Sequence, residues 1–166
     1  MYDISKEAKE NIEEETITVL ADKGYHTGKE LQACQNENID TIVARQEIVN
    51  SNEKGTQPEY LVQHFVYDKH TDTYQCPQGE TLSTTGKLHN KKRDKDVSYL
   101  FKKYRTSACN TCPVKHLCTG RHDGRREIER SEYAEAVERN KTNYEANKAL
   151  YRKRQELERS GNHEDQ

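Results

Sequence analysis

Three cysteines fall within ten residues, Cys109, Cys112 and Cys118, in the pattern Cys-x2-Cys-x5-Cys. Two thiols about one turn apart, with a third shortly after, can converge on one metal ion. A closed tetrahedral site needs a fourth ligand. Cys76, in the turn Cys76-Pro77-Gln78-Gly79, is the expected one, with His116 and His122 as substitutes. Four thiolates with no open position suit structural zinc. The same ligand type admits an iron–sulfur cluster, and ordinary buried or surface thiols are the metal-free alternative. Cys34 lies apart, on a predicted helix, and is expected to be core.

A second chemistry is suggested by Ala21-Asp22-Lys23-Gly24-Tyr25-His26. An acid at the end of an apolar strand, followed by a glycine that lets the chain turn, can present a carboxylate to a divalent cation. An Asp that caps a strand-to-helix turn would leave the same pattern. The third feature is basic. Lys91, Lys92, Arg93, Lys102, Lys103, Arg105, Arg121, Arg125 and Arg126 gather around the cysteines, and residues 83–130 hold 13 basic against 5 acidic residues. Such a density attracts phosphates, although any single run also reads as solvated surface.

Composition limits what must position these groups. Of 166 residues only 31% are apolar and 34% are charged, with no Trp and two Phe, so the core is small and a bound metal could supply part of the folding free energy. The net charge of −2 conceals an acidic residues 1–72, with 7 Lys/Arg against 15 Asp/Glu, and a basic remainder, with 20 against 14. No apolar run could span a bilayer and the opening residues lack a signal-peptide centre. A cytoplasmic protein with no membrane partner is therefore expected, and five cysteines, an odd number, suit reduced metal-binding thiols there.

The spacing predicts a helix over 4–15 with Ile4, Ala8 and Ile12 on its apolar face, a buried strand over 16–21, a helix from the capping box Thr27-x-x-Glu30 to about Glu37, and a strand over 40–44. Strand, helix and strand at these distances make a βαβ unit with parallel strands, whose ligand sites lie at strand ends. A polar loop follows over 45–59. Residues 64–67 and 73–76 read as a hairpin, 81–88 and 97–104 as a strand pair, and 127–130 as a short strand. Ser131 is placed to cap one long helix over 132–158.

The string Val19-Leu20-Ala21-Asp22-Lys23-Gly24-Tyr25-His26-Thr27-Gly28 resembles the second-aspartate motif of insertion-sequence DDE transposases. Phe65–Asp68, Asp72–Leu82 with its Cys-Pro-Gln-Gly turn, and Tyr104–Thr119 with the three clustered cysteines, followed by Arg126-Glu127-Ile128, resemble an insertion found in one branch of that family. Tyr151-Arg152-Lys153-Arg154-Gln155 resembles the approach to its final glutamate. The resemblance covers about residues 8–157.

It implies an RNase H-like fold in which two Asp and one Glu hold two magnesium ions at a scissile phosphate, with Asp22 as the second acid. DNA is the implied partner, and full-length transposase a possible one; no small-molecule substrate is expected. The family's first aspartate lies on a strand upstream of this motif and has no counterpart here. Glu158 is the nearest acid to the position of the last one, where the expected His-x-Phe-Gly surroundings diverge. The expected protein is a transposase fragment that is catalytically incomplete; the alternative is a zinc-stabilised module that binds DNA or a transposase without enzymatic activity.

The fold class is thus α/β: a partial RNase H-like core over 1–48, a linker over 49–63, a Cys-rich β-hairpin zinc-binding insertion over 64–130, a long C-terminal helix over 131–158 and a disordered tail over 159–166.

Overall fold

The protein was described from a computed structural model covering residues 1–45, 55–94 and 97–161, with the side chains of 93, 94, 97 and 155–161 outside that description. The chain divides into two compact units, Met1–Glu47 together with Tyr133–Gln166, and Ile48–Glu132.

The first unit opens with helix α1 (Tyr2–Ile12), strand β1 (Ile17–Ala21), helix α2 (Gly28–Asn36) and strand β2 (Ile39–Val43). The strands pair in parallel from Ile17 opposite Ile39 to Ala21 opposite Val43, so the expected βαβ unit is present. β-branched residues dominate both strands, which suits a pleated, largely covered surface. Thr27 caps α2 by accepting from the Glu30 amide at 3.4 Å. The Glu30 carboxylate does not return to Thr27 as a capping box would; it accepts from the Tyr2 amide at 2.8 Å and ties α1 to α2.

That tie corrects the face expected of α1. Ile4 and Ile12 are 72% and 58% exposed and Ala8 is exposed, whereas Ser5 is buried. The helix turns its polar side to α2, because Lys9 also donates to the Glu37 carbonyl at 2.5 Å.

Among its described residues the second unit is mainly β-structure, with only short helical turns. β3 (Val66–Asp68), β4 (Thr73–Gln75) and β5 (Thr81–Ser83) form one antiparallel sheet, and β6 (His89–Asp94), β7 (Val97–Tyr104) and β8 (Ile128–Ser131) form another. The expected hairpin and the short strand at 127–130 are there. The expected pairing of 81–88 with 97–104 is not: β5 ends at Ser83 and pairs with β4, and β7 takes β6 as its partner. A turn ends β5, with Gly86 at φ +78° and its amide bound to Thr84 Oγ1 at 3.1 Å, so the chain re-enters a sheet only at His89. Phe65, Tyr74, Leu82, Tyr104 and Ile128 form the core, with Cys76 and Cys118 packed against it. Between β7 and β8 the chain makes one α-helical turn, α3 (Lys115–Cys118).

The chain then returns to the first unit as α4 (Ala134–Ala146) and α5 (Lys148–Gly161). One continuous helix capped by Ser131 was expected. Ser131 instead ends β8 opposite Phe101, and Asn147 breaks the helix: its side chain donates to the Asn143 carbonyl at 2.8 Å, competing with the backbone ladder. Helix α4 covers β2 through Asn140, which is 1% exposed and holds the Val43 amide and carbonyl, each at 2.9 Å. Ala21, Leu31, Val43 and Ala136 form the core there, and Cys34, as expected, is fully buried. Among the described residues no helix is long and apolar enough to cross a membrane.

Candidate functional sites: a cysteine-lined cavity, an acid at a strand end and a basic surface

Three local structures deliver the four cysteines of the second unit. Cys76 leaves β4 in a tight turn closed by its amide on Glu80 and by the Gly79 amide on its own carbonyl, with Gly79 at φ +84°. Cys109 lies in a 3₁₀ turn over Ser107–Asn110 capped by Thr106, whose hydroxyl accepts from the Ala108 amide, and Cys112 comes two residues after it. Cys118 ends α3. All four line one cavity of about 30 Å³, which His116 and His122 do not reach.

Burial pushes the Cys118 thiol up to about 11, the nearby Cys109, Cys76 and Cys112 add to that rise, and Arg126 opposes it. The four sulfurs therefore share one electrostatic neighbourhood, and none is in a disulfide. Among the described residues they are not arranged as a ready metal-holding group of three or more.

In the first unit, Asp22 directly follows β1 and opens a 3₁₀ turn over Lys23–Tyr25 whose last amide binds the Asp22 carbonyl at 2.9 Å. Its carboxylate is 64% exposed and accepts from Arg154 Nη2 at 2.7 Å. Ala44 just past β2, with Tyr144, Lys148, Tyr151 and Arg152 from α4 and α5, completes a cavity of about 380 Å³ beside it. Ligand sites of parallel sheets lie outside the carboxyl ends of their strands, and Asp22 and Ala44 both follow such ends. Burial lowers the pKa of nearby His26, with a smaller push from Arg45 and a backbone hydrogen bond opposing it. Glu158 lies on α5 one turn past Arg154 in sequence, and its side chain is outside the described set.

Most of the basic residues singled out are already paired with acids. Lys91 meets Glu129 at 2.6 Å, Lys102 meets Asp72 at 2.6 Å, and Glu127 gathers Lys103 at 3.0 Å together with Arg105. Lys92 and Arg125 are exposed, Arg126 is buried over the Phe65 ring at 5.2 Å, and the Arg93 side chain is outside the described set.

Sequence reasoning missed Asp72. Held at φ +50° in the β3–β4 turn, it accepts from Tyr67 at 2.8 Å, Tyr104 at 2.6 Å and Lys102 at 2.6 Å. Three tyrosines pack together there, with the Tyr74 ring 5.0 Å from both Tyr67, tilted, and Tyr104, edge to face. The Asp-Thr-Tyr string marked the turn, but nothing local showed that β7 would return a tyrosine and a lysine to it.

A parallel strand pair that ends in an acid, covered by helices, together with a β-rich cysteine unit, defines a mixed α/β protein. Residues 75–162 match the family model described as the transposase DDE domain. That is more than half of the chain, and the protein belongs to this family. The matched span contains all four clustered cysteines and begins after Asp22. No curated protein and no solved structure matches the chain. Membership carries an RNase H-like fold, DNA transposition as the general function, DNA as partner and divalent metal ions in the intact enzymes.

Proposed function

We propose that this chain is a DNA-engaging part of a DDE transposase, in which Asp22 is the second catalytic carboxylate and Cys76, Cys109, Cys112 and Cys118 hold a structural zinc ion. The observation that carries the reading is the meeting of four cysteines from three local structures at one small cavity inside the family-matched span. The donor set fits zinc, since four thiolates leave no open position. Two tight turns and the end of α3 bring the thiols to the cavity, and ligation would need them to draw closer together there. Among the described residues the main buried cluster of the unit has only five apolar side chains, which gives burial little to work with, and ligation would fasten the turns that the core does not.

In the intact enzymes, paired divalent ions activate an attacking oxygen and stabilise the leaving one. The part of this chain is to offer the Asp22 carboxylate at the carboxyl end of a parallel strand pair. Asp22 meets Arg154, not a second acid, and the described residues bring no three carboxylates together. On this reading the chain binds DNA without cutting it alone. Incubation of the purified chain with labelled duplex DNA and magnesium tests this: binding with no cleavage above an Asp22→Ala control is expected, and Asp22-dependent cleavage would overturn it.

The exposed Lys92 and Arg125 favour a second reading of the same module, in which it docks on DNA, or on a full-length transposase, with no catalytic part. Loss of zinc and of DNA affinity together on Cys112→Ser supports both readings. Rescue of strand transfer when the chain is mixed with a transposase lacking only its second acid separates them, because only a catalytic Asp22 could provide it.

A further inference from the structure

The geometry points to a seat for DNA phosphates in the cysteine unit: the concavity lined by Arg105, Arg121, Arg125, Thr106, Ser107 and Asn110. It rests on the DNA-binding reading above and narrows a diffuse basic surface to one place. Its volume of about 430 Å³ falls within the range of roughly 300–1,000 Å³ usual for ligand clefts.

Both kinds of side chain keep spare donors after one ion pair, but only arginine holds them on a rigid fork, aimed in a fixed direction. Lys91, Lys102 and Lys103 each bring a single ammonium to within 2.6–3.0 Å of a carboxylate. A guanidinium has five donors on a rigid fork, so one carboxylate occupies one edge and leaves another. Arg121 shows this directly: Nε and Nη2 donate to the two oxygens of Asp123 at 3.2 and 3.1 Å, while Nη1 stays 4.0 Å from Glu127. Arg105 uses Nε and Nη2 on Glu127 alone. The two side chains remain 50% and 61% exposed, so both are accessible to a ligand.

Glu127 acts as an internal counter-ion. Its carboxylate is 9% exposed, and although burial works against ionisation, Lys103 and Arg105 hold its pKa below the usual carboxylate value. It pins the fork of Arg105 before any ligand arrives. Asp123 does the same for Arg121 and also accepts from the Arg125 amide at 3.2 Å, which fixes the backbone that carries the third arginine. Pre-oriented guanidinium edges beside hydroxyl and amide side chains are the groups that hold phosphate oxygens by charge-assisted bonds. The three exposed arginines of the lining, Arg105, Arg121 and Arg125, outnumber its two acids, Asp123 and Glu127.

The test is a salt series of duplex-DNA binding, read by fluorescence anisotropy on the full chain. Arg121→Ala combined with Arg125→Ala should weaken binding at least tenfold and reduce the slope of log affinity against log salt by about two, one for each lost phosphate contact. Arg121→Lys keeps the charge and loses the second edge, and should weaken binding by itself. Lys87→Ala, at an exposed site outside the concavity, should leave the slope unchanged. Binding of the double variant with the parent's slope, or an equal loss in Lys87→Ala, would overturn the seat while leaving DNA binding intact. No binding by the parent chain at low salt would overturn both. Unchanged thermal melting of the variants separates lost contacts from lost fold.

Discussion

Arg154 on α5 reaches across to Asp22 at the end of β1 and holds its carboxylate at 2.7 Å, over 132 residues of intervening sequence. The guanidinium is 16% exposed and lies over the Tyr151 ring at 5.1 Å, while the acid is 64% exposed. The anchor of this pair is therefore the arginine, and the acid is the end that solvent and ligands can reach. Exposed partners gain little from such pairs, typically about 0–1 kcal/mol. Asp22→Asn should accordingly change the unfolding free energy by about 1 kcal/mol or less in urea titration, and a loss of several would show that Asp22 is a structural group.

Asp72 gives the cysteine unit an acid-sensitive tie. Hydrogen bonds from Lys102, then Tyr104, lower its pKa to about 2 against burial, so the folded state holds the charged form. The folded value lies below the unfolded one, so the stabilisation is complete above about pH 4 and is lost as pH falls from there to about 2. With the carboxylate 34% exposed, solvent screening reduces the effect to about 1–2 kcal/mol. Thermal melts of wild type and Asp72→Asn should differ at pH 6 and approach each other near pH 2; a constant gap would show that the acid's charge is not what matters.

Gly28 begins α2 against the Tyr133 side chain, and a Cβ there would come within 2.7 Å of the Tyr133 Cβ. Alanine in a helix is ordinarily favoured over glycine by up to about 1 kcal/mol. Here the clash should reverse the sign, with Gly28→Ala costing about 1–3 kcal/mol. Stabilisation by this substitution would mean that the start of α2 and Tyr133 are not packed as described.

Asn140 closes the outer edge of β2 by serving both backbone groups of Val43. Asn140→Ala leaves a buried donor and acceptor without that partner and should cost about 2–4 kcal/mol in chemical denaturation. Hydrogen exchange at the Val43 amide should accelerate in step, and protection at the wild-type level would contradict the clamp.

Local pattern sufficed where the chain's own periodicity decides structure. The β-branched runs at 17–21 and 39–43 and the Thr27 cap made the parallel unit legible, and a lone cysteine on a helix was correctly read as core. Tertiary partners decided the rest. The apolar positions of α1 look inward by spacing, yet Glu30 and Glu37 draw its polar side instead. The extended-looking 84–88 lost its place in the sheet to a glycine turn, and Asn147 could be read as one more helical residue until its side chain took the Asn143 carbonyl. The cysteine spacing revealed a candidate site; the Arg154–Asp22 pair and the Glu127 hub join residues too far apart in sequence for any spacing to reveal.

The most direct test is metal content. Elemental analysis of the purified chain should find zinc near one equivalent, and Cys76→Ser or Cys112→Ser should lose both the zinc and the cooperative unfolding of the cysteine unit. A cooperatively folded chain with no bound metal, unchanged by either substitution, would contradict the account.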